Sequence, residues 1–205
     1  MVFDIKRRVC TPPSVTVFDV REKRADWERS MFAEDEHRLV FLDESGINID
    51  MTRRYGRSKG KTRVVDSTPL NTPTLTTILS SVRMDGRTTY TYYQGGTTGD
   101  KFVDYLRNNL IPDLNPDDIV IMDNLRSHKV KEVKEAFEEK GITFLYLPPY
   151  SPDLNPIEQM WSKIKAILRK IKPRTIDALL TAISTAFSQI TESDCIGWFY
   201  NDGYC

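Results

Sequence analysis

The chain has 205 residues, 40% of them hydrophobic, enough to bury one substantial core in a single globular domain with a short appendage. Its 29 basic and 29 acidic residues balance to a net charge of zero, so it lacks the global basicity that marks many nucleic-acid binders. Apolar runs of only a few residues argue against a membrane span, and three widely spaced cysteines (Cys10, Cys195, Cys205) with only two histidines argue against a disulfide framework or a zinc site.

Residues 1–38 are weakly patterned. "CTPPS" reads as loop and "REKRADWERSMF" as a short charged helix packing Trp27 and Phe32, so the stretch is expected to be an arm or linker before a domain spanning 39–205. "RLVFLDESG" predicts an apolar strand stopped at Gly46. The loop "RRYGRSKGKTR" (53–63) then carries six basic residues in eleven, a pattern that taken alone is usually solvated surface. "TLTTILSSVRMDGRTTYTYYQGG" predicts a hairpin, with β-branched and aromatic runs flanking a tight turn at Asp85 and Gly86. A helix follows, with Phe102, Val103, Leu106 and Leu110 at helical spacing and Pro112 near its end. "DDIVIMDNLRSHK" predicts a second apolar strand, "VKEVKEAFEEKG" a helix closed by Gly141, and "ITFLYLPP" a third core strand. Two helices are expected to close the chain, "PIEQMWSKIKAILRKI" and "TIDALLTAISTAFSQI". The expected class is α/β, a mixed five-stranded sheet with helices on both sides, because helices long enough for parallel crossovers separate the later strands.

Three carboxylates stand out. "LVFLD" and "IVIMD" are apolar runs ending in Asp43 and Asp123, and runs without alternation suit strands covered on both faces. In open α/β sheets reactive groups collect beyond the carboxyl ends of central strands, where both aspartates would emerge from parallel neighbours. Either one alone reads first as a strand end opening a turn. Glu158 also has two readings. With Asn155 as N-cap and Pro156 first in the helix, it falls where a capping-box acid belongs, and the helix N-terminus equally favours an ionised, metal-binding carboxylate. If the three converge they need cations, since two carboxylates about 4 Å apart at an effective dielectric near 20 repel by roughly 4 kcal/mol. Oxygen-only ligands suit magnesium, with manganese as a substitute, and paired ions suit phosphoryl transfer.

At "VFLDESG", "IMDNLRSHK" and "LPPYSPDLNPIEQMWSKIK", with 34 residues between Asp123 and Glu158, the sequence resembles the catalytic domain of a DDE transposase of the Tc/mariner superfamily, in its bacterial insertion-sequence branch. The tail "WFYNDGY" is also similar, so the resemblance covers roughly 38–204. It implies an RNase H-like fold in which Asp43, Asp123 and Glu158 hold two magnesium ions, cut transposon ends with water, and direct the freed 3′-hydroxyl at target DNA. Asn124, His128, Asn155 and Pro156 match the family's motifs, with Asn124, Asn155 and Pro156 expected to support the site and His128 to be structural or to contact phosphate. Arg53, Arg54, Arg57, Lys59, Lys61, Arg63, Lys163 and Lys170 are the expected non-specific DNA contacts. Helix-turn-helix modules normally precede this domain, and only about 38 residues do so here; the expectation is a module absent or on a separate chain. A homodimer in the active complex and a cytoplasmic location, at the nucleoid if bacterial, complete the implied picture. Hydrolysis alone, or an inactive DNA-binding or assembly role, are the alternatives.

Overall fold

Five strands form one mixed sheet: β1 (Leu39–Ile47), β2 (Thr76–Arg83), β3 (Tyr90–Gln94), β4 (Ile119–Met122) and β5 (Thr143–Tyr146), in the order β3-β2-β1-β4-β5. The computed structural model that carries this sheet describes residues 17–31, 33–53, 55–60, 62–69 and 75–204. β2 runs antiparallel to β1 and β3, and β4 and β5 extend the sheet in parallel on the other side of β1. The tight turn works as the sequence predicts: Gly86 adopts φ 87° and donates its N–H to the Arg83 carbonyl at 3.2 Å.

Helices cover both faces. Against one lie α1 (Val17–Met31), α4 (Pro156–Ile171), α5 (Ile176–Phe187) and α6 (Glu192–Asn201), sharing a core with Phe41, Ile78 and Ile121. Against the other lie α2 (Gly99–Tyr105) and α3 (Lys131–Glu138), packed with Val40, Leu42, Val120 and Met122. Successive strand residues thus enter opposite cores, which is why the central strands are apolar without alternation. Phe41 meets Phe199 edge-on at 5.3 Å and Tyr204 at 4.9 Å. Truncating so enclosed a ring typically costs about 3–5 kcal/mol.

Four features differ from the sequence expectation. β1 does not stop at Gly46 but continues to Ile47, because β2 still pairs with it there; the missing side chain admits Leu75, whose Cδ1 would lie 2.9 Å from an added Cβ. β5 is a partly exposed edge strand, not a third core strand. The helix beginning at Gly99 widens into a π turn at Leu106–Leu110 and tightens into a 3-10 turn at Ile111–Asp113, where Pro112 has no N–H to extend the ladder. A third closing helix, α6, follows a capping box between Thr191 and Asp194. Among the described residues no helix is long and apolar enough to cross a membrane.

α1 is bound to the body. Trp27 is buried and its Nε1 donates to the Tyr204 hydroxyl at 3.0 Å, while Arg24 forks onto Asp153 at 2.9 and 2.6 Å. Phe32 lies outside the described residues.

Candidate active site

The parallel register places two of the acids. Leu42 is the last β1 residue paired with β4, opposite Met122, so the next step brings Asp43 level with Asp123. Asp43 is not at a strand end, because β1 continues past it, paired with Ser80 of β2. The alternation of β1 sends Asp43 toward α4, where its Oδ2 accepts from Trp161 Nε1 at 3.1 Å. Glu44 turns to the other face. Asn124 Nδ2 donates to the Leu147 carbonyl at 2.5 Å, tying the turn after β4 to the end of β5.

Glu158 arrives from a rigid turn. Pro156 occupies the first helical position and is buried, and the Glu158 N–H donates to the Asn155 carbonyl at 3.0 Å. Asn155 makes no side-chain cap bond, so the capping-box account of Glu158 does not hold. Instead Asp43, Asp123 and Glu158 all line one open cavity of about 660 Å³, whose wall also includes Asn155 and Lys23.

The electrostatics reflect that shared wall. Burial, then the Glu158 charge, with further contributions from Glu44 and Asp123, push the Asp43 carboxyl up to about 8. Asp123 is held from the side: its Oδ1 accepts from the Leu125 N–H at 3.0 Å and lies 2.8 Å from His128 Nδ1. His128 Nε2 lies 3.0 Å from Glu44 Oε2, and the imidazole stacks on Phe102 with centroids 4.1 Å apart. Burial opposes a charge on His128, but the two carboxylates outweigh it and lift the group to about 9. A cation fits this donor set, since it would offset the mutual repulsion of three carboxylates. The buried Asn155 Oδ1, which has no donor, offers a further oxygen on the same wall. Among the described residues no three His, Cys, Asp or Glu side chains are already gathered as a ligand set. Each aspartate instead accepts from an N–H donor, Asp43 from Trp161 and Asp123 from Leu125.

The basic residues divide. His128 is fully buried with both nitrogens engaged, so the expected phosphate contact does not fit its position. Arg53, Lys163 and Lys170 line one cleft of about 530 Å³ beside α4, although Lys163 is paired with Asp194. Arg57, Lys59 and Arg63 are exposed on the segment between β1 and β2, away from that cleft's lining, and Arg54 and Lys61 lie outside the described residues. Sequence reasoning passed over Glu44, although it directly follows Asp43. It also missed Lys23 and Trp161, whose positions at the site depend on helix docking that no local pattern encodes.

A family model described as DDE superfamily endonuclease matches residues 38–180. The transposable element Tc1 transposase of Caenorhabditis elegans is 32% identical over 71 residues, 35% of this chain, and the chain spans about a quarter (26%) of that relative's length. This nematode relative does not speak for the bacterial branch. The solved mariner Mos1 paired end complex with Mg superposes with a TM-score of 0.73 over 99% of this chain and 64% of that one, at 17% identity. The crystal structure of the Mos1 mariner transposase catalytic domain gives 0.65 over 95% and 93%, at 14% identity. The fold is RNase H-like. Since the matched stretch runs from the residue before β1 into α5 and contains all three cavity acids, the chain belongs to the DDE superfamily endonuclease family.

Proposed function

We propose that the chain is the catalytic domain of a DNA transposase, cutting transposon ends and joining the freed 3′-hydroxyl to target DNA. The observation that carries this is that Asp43, Asp123 and Glu158 line one cavity of a DDE-family chain. Divalent-metal use is supported by the donor set and by the Mos1 paired end complexes solved with Mg and with Mn. Two magnesium ions held by the three acids, with manganese as a substitute, would activate the attacking oxygen and stabilise the leaving one during in-line displacement.

The chain's own groups prepare that chemistry. Trp161 orients Asp43, His128 and Glu44 orient Asp123, and the first turn of α4 carries Glu158 to the cavity wall. In the cutting step water's oxygen gives up a proton and bonds to phosphorus, and the bond from phosphorus to the 3′-oxygen breaks, leaving a 3′-hydroxyl. In joining, that hydroxyl loses its proton and its oxygen bonds to a target phosphorus, while the target's own bond from that phosphorus to its 3′-oxygen breaks and the departing oxygen takes up a proton. Lys23 brings a positive charge to the cavity wall for the DNA backbone. Arg53, Lys163 and Lys170 continue the cationic track along α4, Lys170 about 18 Å from Glu158 by helical rise. Joining two ends at one target favours a homodimer.

The test supplies a pre-cut end with a free 3′-hydroxyl and a target duplex, with magnesium or manganese. Joined product is expected from the wild type and none from Glu158→Gln. Shortened fragments alone would reduce the activity to hydrolysis, and a wild type that neither joins, cuts nor binds the metals would overturn the reading.

A further inference from the structure

The acid cavity has a lip that its acids do not explain. Leu125 and Tyr150, 42% and 40% exposed, lie on its rim together with Pro149, and neither a cation nor a phosphate has use for such apolar surface. Tyr150 is also strained. Its φ of 58° is left-handed, a region that costs an L-residue of this size free energy and that glycine enters freely. Its ring is not engaged as several other tyrosine rings are. Tyr90 stacks on Phe187, Tyr93 and Tyr105 bond to threonines, Tyr146 donates to the His128 carbonyl and Tyr204 to that of Leu154. Among the described residues Tyr150 enters no side-chain hydrogen bond or ring contact.

We propose that Tyr150, with Leu125 across the rim, is a stacking platform for an unpaired DNA base next to the phosphate that reacts. The inference rests on the reading of the cavity as a phosphodiester site and deepens it. A base still paired within a duplex has both faces covered by its neighbours, so only one that has left the stack offers a free face to the ring. The platform is indifferent to sequence, because every base has such a face, and selective for DNA that is frayed or distorted at the point of reaction. Local strain of this kind persists where it sets a group for binding. Pro149 and Pro152, on the same cavity wall, restrict the backbone on either side of the position.

The experiment compares two duplexes that differ only in whether one terminal 2-aminopurine is paired, with magnesium present. Fluorescence reports stacking and titration reports affinity. The wild type is expected to quench the unpaired base and to prefer that duplex by about fivefold to a hundredfold. Tyr150→Phe should keep the preference. Tyr150→Ala and Tyr150→Gly should lose it, while Tyr150→Gly leaves the melting temperature unchanged or raised, since glycine takes this backbone without strain. Equal affinity of the wild type for both duplexes would overturn the inference, as would a preference surviving in Tyr150→Ala. A preference lost in Tyr150→Gly only alongside a falling melting temperature would overturn it too, by assigning the ring to packing. Metal-dependent cutting on the same DNA separates the two levels: cutting without preference sinks the platform alone, and preference without cutting or joining sinks the phosphoryl-transfer reading and, with it, the placement beside a reacting phosphate, leaving only a contact for an unpaired base.

Discussion

Replacing Asp43 by asparagine should make the metal-free protein more stable while ending its use of metal. The folded-state value of about 8 lies above the ordinary 3.8, so the fold favours the neutral carboxyl. The sign follows: the stabilisation is complete below about 4 and is lost as pH rises toward 8. At pH 7 the gap from 3.8, at about 1.4 kcal/mol per pH unit, caps the gain of Asp43→Asn at about 4 kcal/mol. Asparagine can still accept from Trp161 Nε1, so that bond need not be lost. A realised gain of about 2 kcal/mol, left after relaxation of the site, raises the melting temperature by roughly 4–8 °C for a domain of this size. The assay is thermal unfolding in chelator at pH 4, 7 and 8.5, repeated with magnesium or manganese. The wild type should gain stability on adding metal, by the mass action of binding to the folded state, and the variant should not. An advantage that is absent at pH 7, or independent of pH, would refute the account of a carboxyl raised by burial and by its acidic neighbours.

Arg83 and Asp118 form a buried fork, with Nη1 to Oδ1 at 2.9 Å, so Arg83→Ala strands a carboxylate and should cost about 3–5 kcal/mol in denaturant unfolding. Asp202, pushed up to about 6 by burial, has one carboxylate oxygen without a donor. Its folded value too lies above the ordinary one, so Asp202→Asn should gain up to about 3 kcal/mol over the wild type between pH 4 and pH 8, read from unfolding curves at both. Lys23→Ala should leave stability within about 0.5 kcal/mol and lower the slope of log affinity against log salt by about 0.7–0.9, one phosphate contact, in DNA titrations.

Much of this architecture was legible in the residues. The apolar runs ending at Asp43 and Asp123 indicated strands buried on both faces, and the register shows why: each alternate residue enters a different core. Asp85 and Gly86 announced their turn. Glu158 was ambiguous, because the same lead-in of Asn155 and Pro156 suits a cap or a ligand; the structure shows no side-chain cap bond from Asn155 and puts Glu158 on the cavity wall. The link from Glu44 through His128 to Asp123 spans 84 residues at its first step, and local periodicity carries no trace of such a contact. α6 was missed because its buried side is only Cys195 and Phe199, too sparse a stripe to stand out. The tyrosines of β3 face a similar limit, since the partner that engages Tyr90 is Phe187 on α5.

One helix governs two of the acids. Glu158 and Trp161 sit a single turn apart on α4, so the element that supplies the third carboxylate also grips the first. Any slide or roll of that rod would displace the Trp161 donor and the Glu158 carboxylate in concert. A substitution at Ile164 or Leu168, deep in the core and away from the cavity lining, would therefore alter the cavity by changing how the rod seats on the sheet.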